Sequence, residues 1–131
     1  MSHYIPENLR HLAAERAGHR CEYCRIRESD SFLSFQVDHV ISLKHGGLTE
    51  SQNLAWSCFA CNNNKGSDIG TVLFPGRRFI RLFYPREDIW EEHFESVQGM
   101  FYAKTDIGEA TIKVLKLNEV DRIIERQLLG Y

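Results

Sequence analysis

No apolar run in this sequence approaches the roughly 20 residues that cross a bilayer, so no membrane span is expected. The opening residues M-S-H-Y-I-P-E-N-L-R also lack the apolar core of a signal peptide, which points to a cytoplasmic protein. With three prolines and nine glycines in 131 residues, collagen-like and linker-like classes are excluded. Net positive charge is missing as well: the formal charge is −2, which argues against strong indiscriminate adhesion to nucleic acid. Its distribution is uneven, at +2 over residues 1 to 27, −2 over 28 to 65, +3 over 66 to 86 and −5 over 87 to 131. A locally basic face on an acidic body suits phosphate binding of modest, salt-sensitive affinity. What remains, 43% hydrophobic and 26% charged, is ordinary for one soluble domain with a real core.

Cysteine is scarce but not scattered. The four cysteines form two pairs, C-E-Y-C at Cys21 and Cys24 and C-F-A-C at Cys58 and Cys61, with 33 residues between the pairs. Each pair sets two thiolates on one tight turn, and two such turns complete the four-sulfur tetrahedron that Zn²⁺ takes. Two disulfides are the competing arrangement, and they belong to secreted proteins. A closed four-cysteine shell has no open coordination position, so this zinc is structural and not catalytic. It clamps the segment between the pairs, which contains V-D-H-V-I-S-L-K-H-G-G from Val37 to Gly47.

Local patterns give a coarse α+β reading. Pro6 opens a helix over E-N-L-R-H-L-A-A-E-R-A, with Gly18 as its stop. F-L-S-F-Q-V-D-H-V-I reads as a strand, N-L-A-W-S as a second, and A-C-N-N-N-K-G as a helix that starts in the zinc turn. Beyond it, F-I-R-L-F-Y-P-R is expected to be extended, D-I-W-E-E-H-F a short helix and E-S-V-Q-G-M-F-Y-A-K a strand. The tail predicts one helix with Ala110, Val114 and Leu117 on a face, then a second capped by Asn118, with Asp121 as a variant capping-box partner.

The order C-E-Y-C, D-H-V-I, G-G, Asn53-Leu54, C-F-A-C-N-N-N-K resembles the HNH endonucleases, the ββα-metal or His-Me finger nucleases, in the subgroup with a four-cysteine zinc site. The resemblance implies a single HNH nuclease domain over 1–131, with a motif core at 21–66 and a C-terminal α/β extension at 67–131. It also implies that His39 is the general base, that Asp38 ligates a catalytic Mg²⁺ or Mn²⁺, and that Asn53 holds the loop and orients the histidine. The last letter of the motif falls on Asn62, so the site is H-N-N, with Asn62 as the second metal ligand.

The implied chemistry suits these side chains. Phosphodiester hydrolysis needs a deprotonated water in line with the leaving oxygen and a cation to offset the charge that builds there. A neutral imidazole takes such a proton near pH 7, and carboxylate and amide oxygens suit hard divalent ions. Adjacent strand residues point to opposite faces, so Asp38 and His39 share a site only where the strand ends. Lys65 is expected either to approach a phosphate or to be a solvated helix-end lysine. Arg77, Arg78 and Arg81, with Arg86, suit either a basic strand edge on DNA or a half-buried strand. His45 is unassigned, His93 is expected to be packed or hydrogen-bonded, and His3, His11 and His19 carry no motif.

The expected activity is thus DNA endonucleolytic cleavage. The competing reading is a zinc-organised nucleic-acid-binding module with a vestigial site. One active site cuts one strand at a time, so cutting both strands calls for a homodimer or two encounters. Elemental analysis is expected to find one zinc per chain, with unfolding on chelation; two disulfides and no zinc would overturn the scaffold.

Overall fold

A computed structural model describes residues 4–131, so His3 lies outside the described residues. The elements run α1 Glu7–Arg16, β1 Gln36–His39, β2 Leu54–Ser57, α2 Phe59–Lys65, β3 Gly70–Leu73, β4 Arg78–Arg81, α3 Trp90–His93, β5 Phe94–Val97, β6 Met100–Ala103, α4 Asp106–Leu115 and α5 Val120–Leu128. The fold is α+β. Its strands form three separate two-stranded antiparallel sheets, β1 with β2, β3 with β4 and β5 with β6. No helix among the described residues is long and apolar enough to cross a membrane.

The ββα core is β1, β2 and α2. β1 pairs with β2 in a register that sets Asp38 against Ala55 and His39 against Leu54. Every residue of β2 is buried, because α1 packs against it. α1 begins after Pro6, whose φ of −54° is already helical and whose missing N–H is one that a helix start leaves unpaired anyway. At the other end the backbone turns at Gly18, with φ +62°. Arg16, in the last turn of α1, donates to the carbonyls of Ser51 and Leu54 and so ties the helix to the start of β2.

β1 is shorter than F-L-S-F-Q-V-D-H-V-I suggests. Phe32, Leu33 and Ser34 are exposed and unpaired with any strand, and the sheet begins only where β2 supplies a partner. The aromatic and branched residues that favour a strand here turn outward instead. Ladder hydrogen bonds decide a strand, and propensity alone does not supply them.

The extension is organised around α4, which touches α2, α3, β3, β4 and β6. Its buried face is Gly108, Ala110, Thr111 and Leu115, rotated from the expected Ala110, Val114 and Leu117. The helix ends at Leu115, with Lys116 left-handed at φ +53°, so Leu117 is buried from beyond the helix. Asn118 does not cap α5. Its amide accepts from Phe101 N at 2.9 Å and donates to Phe101 O at 2.8 Å, which joins the tail to β6, and the N-cap position falls to Glu119 with no side-chain bond. E-S-V-Q-G-M-F-Y-A-K is not one strand but the hairpin β5–β6, turned at Gln98 (φ +50°) and Gly99 (φ +79°), the double positive φ of a tight hairpin. β3 was not signalled by the sequence.

An aromatic cluster fills the space between the hairpin and the core. Phe94 lies 5.5 Å from Phe83 and 5.1 Å from Trp90, which is 5.7 Å from Phe101. His93 packs on Phe83 at 5.9 Å and bonds Thr105 Oγ1 through Nδ1 at 2.6 Å. Buried Arg126 from α5 closes the cluster, donating to Gly99 O at 2.7 Å with its guanidinium 4.4 Å over Phe101.

Gly108 brings α4 against the main chain of α3. A Cβ there would sit 2.2 Å from His93 O, a carbonyl held by a further bond from Lys104 N. Gly108→Ala is therefore expected to lower the urea midpoint by a loss of about 1–3 kcal/mol, despite the gain of about 1 kcal/mol in helix propensity. An unchanged or raised midpoint would contradict this packing.

Candidate active site and cysteine cluster

The first cysteine pair lies on the turn after α1 and the second at the start of α2. Glu22 of the first turn donates its N–H to Trp56 O of β2 at 2.9 Å and accepts from Trp56 N at 2.8 Å, which brings the turns together. All four sulfurs are buried and lie within 4.8 Å of one another, with no disulfide among them. Cys24 Sγ and Cys58 Sγ are 3.7 Å apart, against the roughly 3.8 Å edge of a tetrahedron built on Zn–S bonds of about 2.3 Å. Cys24 N donates to Cys21 Sγ and Cys61 N to Cys58 Sγ, each at 3.4 Å, so the chain already treats these sulfurs as acceptors. The donor set fits a closed metal site.

Arg122 of α5 adds a contact that the sequence did not signal. Its Nη2 donates to Cys61 Sγ at 3.1 Å and its Nη1 to Leu115 O at 2.6 Å. Burial works against this guanidinium's charge, but the charges of Cys61 and Cys24 outweigh it and raise its pKa above the ordinary value. Four thiolates around one divalent cation would leave a charge of −2, and the half-buried Arg122 would offset part of it.

β1 delivers Asp38 and His39 to the edge of a cleft of about 290 Å³, lined by Val37, Asp38, His39, Ser42, Lys44 and Asn62 among others. The strand ends at His39, which answers the geometric difficulty of two adjacent residues sharing a site. Asp38 turns inward, accepting from Tyr23 Oη at 2.7 Å and Lys65 Nζ at 3.2 Å. Burial pushes its carboxyl pKa up, with Lys65 and Tyr23 partly opposing. His39 bonds Thr49 Oγ1 through Nε2 at 2.8 Å, so a loop residue orients the imidazole. Asn62, one residue past Cys61, donates its amide N–H to Gln36 Oε1.

Asn53 organises the loop between the strands. Its Oδ1 accepts from Ile41 N at 2.8 Å, and its Nδ2 donates to Ile41 O and Leu48 O, both at 2.9 Å. Gly47 passes so close that a Cβ there would lie 1.7 Å from Ile41 O and 2.8 Å from Asn53 Nδ2. Asn53 thus ties Ile41, just past the end of β1, to Leu48, the neighbour of Thr49. His45 is exposed on the same loop.

Lys65 corrects an expectation. It is neither a phosphate contact nor a solvated helix end: its side chain is 0% exposed, paired with Asp38 and donating to His39 O at 3.0 Å. Burial of the last turn of α2 against β1 carries the ammonium inward, where Asp38 is its counter-charge. The arginines are also engaged. Arg78 pairs with Asp106, Arg81 forks onto Asp88 at 2.7 and 3.0 Å, and Arg86 pairs with Glu22 in a mostly buried position. Arg77, Arg78 and Arg81 remain at the surface, whereas Arg86 does not face solvent as a basic edge would.

Asp38 and Asn62 contribute oxygen, the donor of hard divalent ions, and such ions bind through one or two carboxylates plus water and phosphate. Both carboxylate oxygens of Asp38 can accept more than one bond, so the Tyr23 and Lys65 contacts leave room for a cation. Among the described residues, only the cysteines form a group of three or more His, Cys, Asp or Glu ligands. A hard divalent ion held by Asp38 and Asn62 would take water and phosphate oxygens at its remaining positions.

A family model described as HNH endonuclease matches residues 21–68, the span that holds both cysteine pairs and the cleft. A Septu protein PtuB of Bacillus thuringiensis is 25% identical over 119 residues, covering 88% of this chain and 44% of that protein. A Septu protein PtuA of Bacillus mycoides (strain KBAB4) is 27% identical over 127 residues, covering 76% of this chain and 17% of that protein. The chain thus spans less than half the length of these curated relatives. No solved structure matches it.

The buried pair makes a stability prediction. Lys65→Met strands the Asp38 carboxylate and is expected to cost about 3–5 kcal/mol at pH 7, whereas adding Asp38→Asn removes the unpaired charge and recovers much of the loss. Chemical denaturation of the two variants reads this directly, and equal losses would refute the pairing.

Proposed function

We propose, from the HNH endonuclease domain at residues 21–68, that this chain is a metal-dependent DNA endonuclease with His39 as its general base. The observation that carries the reading is the single cleft lined by Asp38, His39 and Asn62 at the end of β1, beside the loop that Asn53 holds. Zn²⁺ on Cys21, Cys24, Cys58 and Cys61 is structural, and Asp38 with Asn62 would hold Mg²⁺ or Mn²⁺. When bound, that ion offsets charge on the phosphate and on the leaving oxygen.

His39 supplies the proton acceptor: the attacking water's proton passes to an imidazole nitrogen while Thr49 keeps the ring in place. Lys65 holds the Asp38 side chain and the His39 carbonyl together, so ligand and base keep a fixed separation. Arg77, Arg78 and Arg81 are surface cations of the segment that follows the core. Arg78 and Arg81 would exchange Asp106 and Asp88 for phosphate, which makes DNA affinity modest and steeply salt-dependent. Thiols gathered for a metal suit a reducing cytoplasm. The likeness to a Septu protein PtuB over most of the chain supports a place among Septu-type proteins. Cleavage of both strands would need a homodimer or a second encounter.

The vestigial-site reading is disfavoured by Asp38, His39, Asn53 and Asn62 all being present, with three of them on one cleft. Incubation of supercoiled plasmid with Mg²⁺ or Mn²⁺ is the test. Wild type is expected to cut and His39→Ala to be slower by about 10²–10⁴-fold. Full activity in the variant would sink the mechanism, and an inert wild type would favour the binding module.

A further inference from the structure

Tyr23 links the first cysteine turn to Asp38, a residue of the cleft. It lies between Cys21 and Cys24, is fully buried, and donates its phenol to Asp38 Oδ2 at 2.7 Å. Nothing in the motif calls for a phenol here, because C-x-x-C leaves both middle positions open. Neither is this a generic core tyrosine. Its ring meets Phe83 edge-on at 6.5 Å, and its carbonyl accepts from Trp90 Nε1 at 2.9 Å. Both partners belong to the C-terminal extension. The chain therefore commits a buried hydroxyl, a turn inside the cysteine cluster and two aromatic residues of the extension to one carboxylate oxygen.

Resting on the nuclease reading above, we infer that Tyr23 is a positioning residue for Asp38, through which the cysteine cluster and the extension set the geometry of the catalytic metal ligand. A carboxylate held only by Lys65 rotates about its χ2, since a terminal sp³–sp² torsion is broad. Lys65 Nζ lies 3.2 Å from both carboxylate oxygens, so the directional bond from the Tyr23 phenol to Oδ2 is what fixes the plane of the carboxylate and the direction of its remaining lone pairs. Buried hydrogen-bonding partners of metal ligands commonly govern affinity in this way. The arrangement also gives the extension a role in the site although, of its residues, the cleft lining includes only Ser67 at the boundary with the core.

The full zinc-loaded chain tests this with Mn²⁺ as the probe, counted by the electron paramagnetic resonance of free Mn²⁺ in the presence of a DNA duplex. The His39→Ala background keeps the duplex intact, and Asp38→Asn gives the baseline. Tyr23→Phe keeps the ring and removes only the hydroxyl. It is expected to retain one zinc per chain and a cooperative melt, and to bind Mn²⁺ about 10–100-fold more weakly. With His39 restored, half-maximal plasmid cleavage should need correspondingly more Mn²⁺. Zinc content and melting report a merely structural role, and the Mn²⁺ titration does not.

Wild-type Mn²⁺ affinity in Tyr23→Phe would overturn the inference and leave the nuclease reading standing. A parent without Asp38-dependent Mn²⁺ binding would overturn both. Should Tyr23→Phe lose its zinc, Trp90→Phe carries the test, since it removes the bond to the Tyr23 carbonyl and keeps the phenol. A smaller weakening in the same direction is expected there, and an unchanged affinity overturns the proposal.

Discussion

The ammonium of Lys65 sits out of contact with water between the side chain of Asp38 and the carbonyl of His39. A buried cation of this kind is costly to desolvate, and one partner alone would not compensate it. Here the last turn of α2, the end of β1 and, through Tyr23, the first cysteine turn all converge on the same charge. Removing that charge leaves a carboxylate in the core and an unanchored strand end. The ββα unit, which has only two short strands, depends on this electrostatic join to keep its helix and its sheet in one orientation.

The cysteine cluster acts at longer range. It has no vacancy for substrate, yet it decides where β1 and α2 meet, because one turn precedes the sheet and the other starts the helix. Arg122 brings α5 to the same sulfurs, and α4 lies against α2. The extension is thus packed onto the motif core at the cluster and at the aromatic group around Phe83. Charge neutralisation and apolar burial act at different places, so neither alone would hold the tail in position.

Much of this was legible beforehand, and for physical reasons. The spacing of Cys21, Cys24, Cys58 and Cys61 carries its own geometry, and the run of motifs around Asp38, His39, Asn53 and Asn62 picked out the residues found at or beside the cleft. What escaped was set by tertiary partners. Lys65 looks like a solvent lysine until Asp38 is seen to face it. Asn118 has the composition of a cap but directs its amide to Phe101. Phe32 and Leu33 have strand propensity and no neighbouring strand. The hairpin at Gln98–Gly99 was missed because Gln98 is not a residue that announces positive φ. Arg78 and Arg81 carry a basic pattern that Asp106 and Asp88, distant or unremarkable in sequence, neutralise.

The seven residues of α2 have a further consequence. Cys61, Asn62, Asn64 and Lys65 each have an assigned contact, to the sulfur cluster, Gln36, the Leu115 carbonyl and Asp38 respectively, which leaves Asn63 as the position between them that faces solvent. Such a helix has almost no room for neutral drift. Its tolerance to substitution should follow the pitch of the helix, with the exposed Phe59 and Asn63 permissive among intolerant positions. Lineages of this domain would then diversify in the surface loops and the tail while this short helical stretch stayed nearly invariant.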